Sequence, residues 1–222
     1  MLSYIFDFNL NVVGHAAERY VTKAVQQWPA LFEELPGVQG CLFLTNAFTL
    51  AGKYTYSFRV DLDSVSTLTA YDEALKSDDP RWREVSSEWY ERRTEVQGRL
   101  LRGTGRSAQQ DGNGLLHVVL GYQYRGNGSS AQHQRYDEEF AGRLSQELQA
   151  FDSVEHAQHF TTVFQPGLGS GGEVWLRITD INALNDIDAV TVRANELVGE
   201  PLVASGLYGQ LRLVDGALLS GA

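Results

Sequence analysis

The sequence predicts an α+β protein made of two tandem βαββαβ units, each a four-stranded antiparallel sheet with helices on one face only. Three observations predict it. The order of elements restarts near residue 115, after the segment GTGRSAQQDGNG (103–114), whose only apolar side chain is Ala108. FRVDLDSVS (58–66) and LRITDINAL (176–184) repeat one pattern of apolar residue, Arg, β-branched residue and acid. Val38 to Phe48 also lies over Val154 to Phe164 at an offset of 116, and Gly98-Arg99-Leu100 lies over Gly209-Gln210-Leu211. The expected division is therefore a first unit at 1–102, a linker at 103–114 and a second unit at 115–222.

In the first unit, Leu2, Tyr4, Phe6, Phe8 and Leu10 alternate with Ser3, Ile5, Asp7 and Asn9, which is a half-buried strand. Ala17, Tyr20, Val21, Ala24, Trp28, Leu31 and Phe32 then recur at helical spacing, with Pro29 expected to kink or end the helix. Pro36-Gly37 closes that segment, a second strand runs to Phe48, and Gly52-Lys53 turns into a third strand. There Tyr54, Tyr56, Phe58 and Val60 face one way and Thr55, Ser57, Arg59 and Asp61 the other. Asp79-Pro80 reads as an N-cap with proline at the first helical position. The stripe Trp82, Val85, Trp89, Val96 extends that helix to about Gln97, leaving Arg99 to Arg102 as a short fourth strand.

The second unit opens on a strand in which Leu116, Val118, Leu120 and Tyr122 alternate with His117, Val119, Gly121 and Gln123. A helix carries Tyr136, Phe140, Leu144, Leu148 and Phe151. Strands follow at Val154 to Phe164 and Val174 to Ile178, joined by a glycine-rich hairpin. A helix with Ile187, Val190, Ala194 and Leu197 and a strand near Tyr208 to Val214 complete it.

Composition narrows the function. The net charge of −10, without a basic patch, argues against nucleic acid. No apolar run reaches the roughly 18–20 residues of a membrane helix. The N-terminus reads as a strand rather than a signal peptide, and a single cysteine, Cys41, fits a reducing cytoplasm. No cofactor motif is present: the glycines at 167–172 lead into a strand, whereas a dinucleotide fingerprint must open a helix. No metal site is expected either. His156 and His159 are three apart on a strand and so point to opposite faces.

The WPALFEELPGVQG helix-to-strand corner, the alternating third strand and the DDPRWREVSSEWYERR helix resemble the dimeric α/β barrel superfamily of ferredoxin-like proteins. The resemblance spans nearly the whole chain as two units. It implies a pseudo-dimeric α/β barrel in which the two open sheet faces meet, and it leaves room for a homodimer of such fused barrels. It also implies the superfamily's range of activities, which includes cofactor-free monooxygenases of aromatic polyketides, cyclases, isomerases, haem enzymes and stress proteins.

With helices on one face, chemistry is expected on the other. That face holds Asp7 and Asn9 beside Ser57 and Arg59, and His117 and Gln123 beside Trp175 and Arg177. Arg59, Asp7 and His117 are the catalytic candidates, because an arginine and a carboxylate in a dry cavity polarise a carbonyl and a histidine moves a proton near neutral pH. Asn9, Ser57, Gln123, Trp175 and Arg177 are the binding candidates for an aromatic or polyketide-like ligand. The competing reading makes Arg59–Asp7 a structural ion pair between the sheets. Bulky Trp175 set against small Ser57 predicts the larger cavity in the first half.

Overall fold

The computed structural model describes residues 1–46, 53–103, 116–123, 142–164, 171–179, 181–189 and 208–214, and the single positions 131, 133, 134 and 137. The linker past Gly103, most of the 125–133 loop, the hairpin at 165–170 and the helix beyond 189 lie outside the described residues. So do the side chains of Gln123 and of 208–214.

Eight strands close into one antiparallel barrel. They are β1 (Leu2–Leu10), β2 (Val38–Asn46), β3 (Tyr56–Leu62), β4 (Arg93–Gly103), β5 (Leu116–Gln123), β6 (Val154–Phe164), β7 (Gly171–Ile178) and β8 (Tyr208–Val214). Around the barrel the order is β1-β3-β2-β8-β5-β7-β6-β4. Each half thus contributes four neighbouring strands, and two seams join them: β2–β8 (Leu44 opposite Val214) and β4–β6 (Leu101 opposite Thr162). Helices α1 (His15–Glu33), α2 (Thr67–Leu75) and α3 (Pro80–Arg92) belong to the first half; α4 (Gly142–Gln149) and α5 (183–189) belong to the second.

The alternation sorts the strands as their pattern requires. Leu2, Phe6, Phe8, Phe43, Phe58, Val60 and Leu62 face outward and pack under Trp28, Phe32, Trp82 and Trp89. In the second half Val118, Leu120, Val174, Leu176 and Ile178 pack under Leu144, Leu148, Ala183 and Ile187. Inside the barrel, Ile5, Leu42, Leu44, Leu101, Val119, Phe160 and Trp175 form a third cluster that draws on both halves. Pro29 does not end α1, because Trp28, Leu31 and Phe32, buried on either side of it, hold the last turn against the sheet. Asp79 caps α3 as expected, accepting from Arg81 N at 2.8 Å.

Three local expectations are corrected. A separate helix, α2, precedes α3 in the first half, and α3 stops at Arg92 instead of running to about Gln97. β4 starts at Arg93, so Val96 lies in a strand and not on the helix stripe. The β-branched Thr94 and Val96 favour strand there, Gly98 disfavours helix, and pairing with β1 over Leu2 to Leu10 settles the matter. The third correction concerns the doubled stretch. Phe43 pairs with Phe58 while His159 pairs with Val174, and Val38 pairs with Leu62 while Val154 pairs with Ile178. The third strands therefore correspond at an offset of 116, the same as the second strands. Arg59 matches Trp175, Asp61 matches Arg177 and Ser57 matches Glu173. A slip of two residues keeps every side chain on its own face, so the pattern alone could not detect it.

Candidate functional site

The barrel interior collects the polar faces of β1, β3, β4, β5 and β7, and its charges are paired. Arg59, 6% exposed, grips Asp61 through Nε and Nη2 at 2.8 and 3.0 Å, and Ser3 Oγ donates to the same carboxylate at 2.5 Å. The Arg59 guanidinium also lies over the rings of Phe160 and Trp175, 4.9 and 5.1 Å from their centroids. Asp7 accepts from Ser57 Oγ at 2.7 Å and pairs with Arg99, not with Arg59. Arg99 also reaches Glu173 at 2.6 Å, and Trp175 Nε1 donates to Glu173 at 2.7 Å. One arginine thereby ties carboxylates from the two halves together, across the barrel. Burial opposes the charge of Arg99, but Asp7 and Glu173 outweigh it and raise its pKa above the ordinary guanidinium value.

The remaining candidates lie at the rims. Asn9 is fully used, donating to Lys53 O and Glu95 and accepting from Thr55 N at 2.8 Å. Arg177 pairs with Glu155 at 2.8 Å. Gln123 stands opposite Gly171 at the end of β5. His117 is buried against Trp175, and its Nε2 meets no hydrogen-bond partner.

Burial, helped by the charges of Arg59 and Arg177 and by His156, pushes the His117 pKa down to about 3. The expected proton carrier near neutral pH is therefore a neutral imidazole throughout that range. Its unfolded counterpart titrates near 6.5. Folding thus excludes a proton: the stability is fully present above the unfolded value and is lost as pH falls from about 6.5 toward about 3. The loss runs at up to about 1.4 kcal/mol per pH unit. Replacing His117 by Gln is expected to flatten the pH dependence of urea-unfolding free energy between about pH 6 and 4. Parallel curves for the two proteins would refute the assignment.

His156 and His159 do point to opposite faces. His156 pairs with Arg177 on the inner side, while His159 Nε2 meets the Tyr122 hydroxyl at 2.7 Å on the helix side. Tyr122 Oη also donates to Asp137 at 2.5 Å. By register Tyr122 and His159 occupy the places held in the first half by the packed rings of Phe8 and Phe43. Gly172 stands where Tyr56 does. A Cβ there would come within 2.3 Å of the Tyr122 hydroxyl and 2.4 Å of the Phe160 carbonyl oxygen. Among the described residues no His, Cys, Asp and Glu group has the arrangement of a metal site.

A cleft of about 320 Å³ opens in the first half, on the helix-covered side of the sheet, between β1, β4, α2 and α3. Tyr4, Phe6, Tyr71, Trp89 and Tyr90 supply aromatic walls; Leu68, Leu75, Val96 and Gly98 complete the apolar lining, with Arg93 and Asp72 the charged groups. Phe6 sits edge-on to Trp89 at 5.1 Å and against Tyr4 at 4.1 Å.

Arg93 reaches this cleft because β4 carries a bulge. Gln97 pairs with Asp7 and Thr94 with Asn9, so two residues, Glu95 and Val96, oppose Phe8 alone. Glu95 takes the left-handed φ of 51° that the extra residue demands. Without it, strict alternation would turn Arg93 into the barrel. With it, Arg93 joins Leu10, Gly98 and Leu100 on the helix side, its guanidinium 3.8 Å from the Trp89 ring centroid. The sequence shows Trp89 as core packing and Arg93 only as part of Glu91-Arg92-Arg93. The bulge has no signature there, and it is the bulge that makes the cleft polar.

No family model and no curated protein matches the sequence. Solved structures do match. A candidate monooxygenase from Fusobacterium nucleatum superposes with a TM-score of 0.64 at 8% identity, covering 96% of this chain and 91% of its own. An anthrone oxidase-like protein gives 0.63 at 10%, covering 96% and 90%. A dye-decolorizing peroxidase from Bacteroides thetaiotaomicron gives 0.57 at 10%, covering 98% and 94%. At 8–10% identity these likenesses show a shared fold.

Proposed function

We propose that this chain is a small-molecule oxidative enzyme, a cofactor-independent monooxygenase whose electron-rich aromatic substrate enters the Tyr4–Trp89–Arg93 cleft. The observation that carries the reading is the cleft itself: about 320 Å³ falls within the usual range for ligand sites, and five of its eleven lining residues are aromatic. The names of two structural neighbours, a candidate monooxygenase and an anthrone oxidase-like protein, support the oxidative part. Among the described residues the lining has no histidine, and its one carboxylate, Asp72, is held by Lys76 at 2.5 Å. That is a poor equipment for the proton shuttling of a cyclase or isomerase. Oxidising an activated CH₂ to a carbonyl with O₂ balances without a cofactor: the carbon gains one oxygen atom, its two hydrogens leave with the other as water, and the first proton of an acidic substrate can pass to solvent. Among the described lining residues there is no histidine, cysteine or methionine to hold a haem iron.

Two variants test the placement. Val96→Trp, which fills the cleft mouth, is expected to weaken binding of anthrone by about tenfold or more, read as tryptophan quenching, and to abolish oxygen uptake. Arg59→Ala is expected to leave binding intact. The opposite pattern would return the site to the barrel interior, with Arg59, Asp7 and His117 as its chemistry and Asn9, Ser57, Gln123, Trp175 and Arg177 as its lining. Binding without oxygen uptake would make the chain a ligand-binding barrel, the second reading, which the scarcity of proton-moving groups favours.

We also infer that the barrel is a fused duplication with units 1–102 and 115–222. The repeated strand order, the common offset of 116 and the same bulge at Val38/Gly40 and Val154/His156 support this.

A further inference from the structure

We propose that the cleft selects an anion: its ligand is an aromatic molecule bearing an ionised oxygen, carboxylate, phenolate or enolate, set against Arg93. This rests on the cleft being the ligand site and adds the charge of what it takes.

The described strand arginines that are buried or half-buried, Arg93 apart, each have a carboxylate, while Arg102 of β4 is exposed. Arg59 has Asp61, Arg99 has Asp7 and Glu173, and Arg177 has Glu155. Arg93 has none among the described residues. Its Nε donates to Trp89 O at 3.0 Å, and its guanidinium faces the rings of Trp89 and Tyr90 at 3.8 and 5.7 Å. A guanidinium carries five N–H donors in a fixed fork, so four remain for a ligand. The acids nearby are engaged elsewhere: Asp72 with Lys76, Glu88 with Lys23, and Glu95 with Asn9 and Lys53.

The surroundings strengthen the case. Tyr4, Tyr71 and Tyr90 ring the same cleft and can add hydroxyl donors, and Gly98 leaves the room that Tyr4 uses, since a Cβ there would lie 3.1 Å from its hydroxyl. Burial lowers the Arg93 pKa to about 10, with Tyr71, Tyr20, Tyr90 and Tyr4 working against the fall. The group is still a cation at neutral pH, and a negative ligand would offset the cost of burying its charge. A strand bulge with a left-handed glutamate is what turns it there.

The test compares 2-naphthoate with its methyl ester, two probes with the same rings and different charge, by calorimetric titration at pH 7. Naphthoate is expected to bind the wild-type protein about tenfold tighter or more than the ester. Arg93→Gln should remove that preference while leaving the ester within about twofold of wild type, and Arg93→Lys should keep part of it. Circular dichroism confirms that each variant is folded. Equal affinity for the two probes in wild type overturns the charge selection but leaves the cleft standing, as does an unchanged preference in Arg93→Gln. Binding of neither probe overturns the cleft and the charge selection together.

Discussion

Replacing Arg99 by leucine is expected to cost about 3–5 kcal/mol of folding stability, among the largest single effects in this barrel. Arg99 is 5% exposed and holds Asp7 from β1 and Glu173 from β7 at once. Removing it takes the guanidinium from between two carboxylates in the same water-poor interior, and deleting one member of a buried ion pair is far costlier than the pair was favourable. The Ser57 and Trp175 hydrogen bonds to those carboxylates remain and limit the damage. The neutralised triple variant Asp7→Asn, Arg99→Leu, Glu173→Gln should therefore recover most of the loss. Guanidinium unfolding at pH 7 measures all three proteins. A single-variant loss below about 1 kcal/mol would mean that this network is not what couples the halves.

Trp28→Ala is expected to cost a similar amount, about 3–5 kcal/mol, for an unrelated reason. Trp28 is 1% exposed, and its ring centroid lies 4.5 Å from that of Trp89, 5.6 Å from Tyr20, 5.8 Å from Phe58 and 5.9 Å from Phe43. Truncation leaves a void that helix and sheet cannot both close around, so lost contacts add to lost burial. Because Trp89 leans on Trp28 and also walls the cleft, ligand binding should weaken along with stability. Denaturant unfolding with the quenching titration reads both. A loss under about 1.5 kcal/mol would show that the aromatic layer repacks freely.

Much of this architecture was legible in the sequence, and the reasons are local. β1 alternates cleanly because its outer face meets a helix layer and its inner face meets charges. Asp79-Pro80 starts α3 because cap chemistry is carried by two adjacent residues, and β8 falls at Tyr208 to Val214 as read. Trp175 faces inward, as alternation around Val174 and Leu176 required. What stayed hidden depends on distance through space. Asp7 and Asp61 both sit on the inner face near Arg59, and no pattern tells which carboxylate it takes; the side chain reached along its own strand to Asp61. Arg99 and Glu173 carry no local signal, because their pairing spans 74 residues and the barrel lumen. The bulge at Glu95 was invisible, since inserting one residue into a strand leaves composition untouched while reversing which face Arg93 occupies.

Closure of the barrel has a consequence for how such molecules meet. In a lone four-stranded sheet β2 and β4 would be edges, offering unpaired amides and carbonyls to any passing strand. Here β8 and β6 occupy those positions. A strand-by-strand template for aggregation is thus withdrawn, and a second copy is left with helix surfaces and barrel rims as its means of approach.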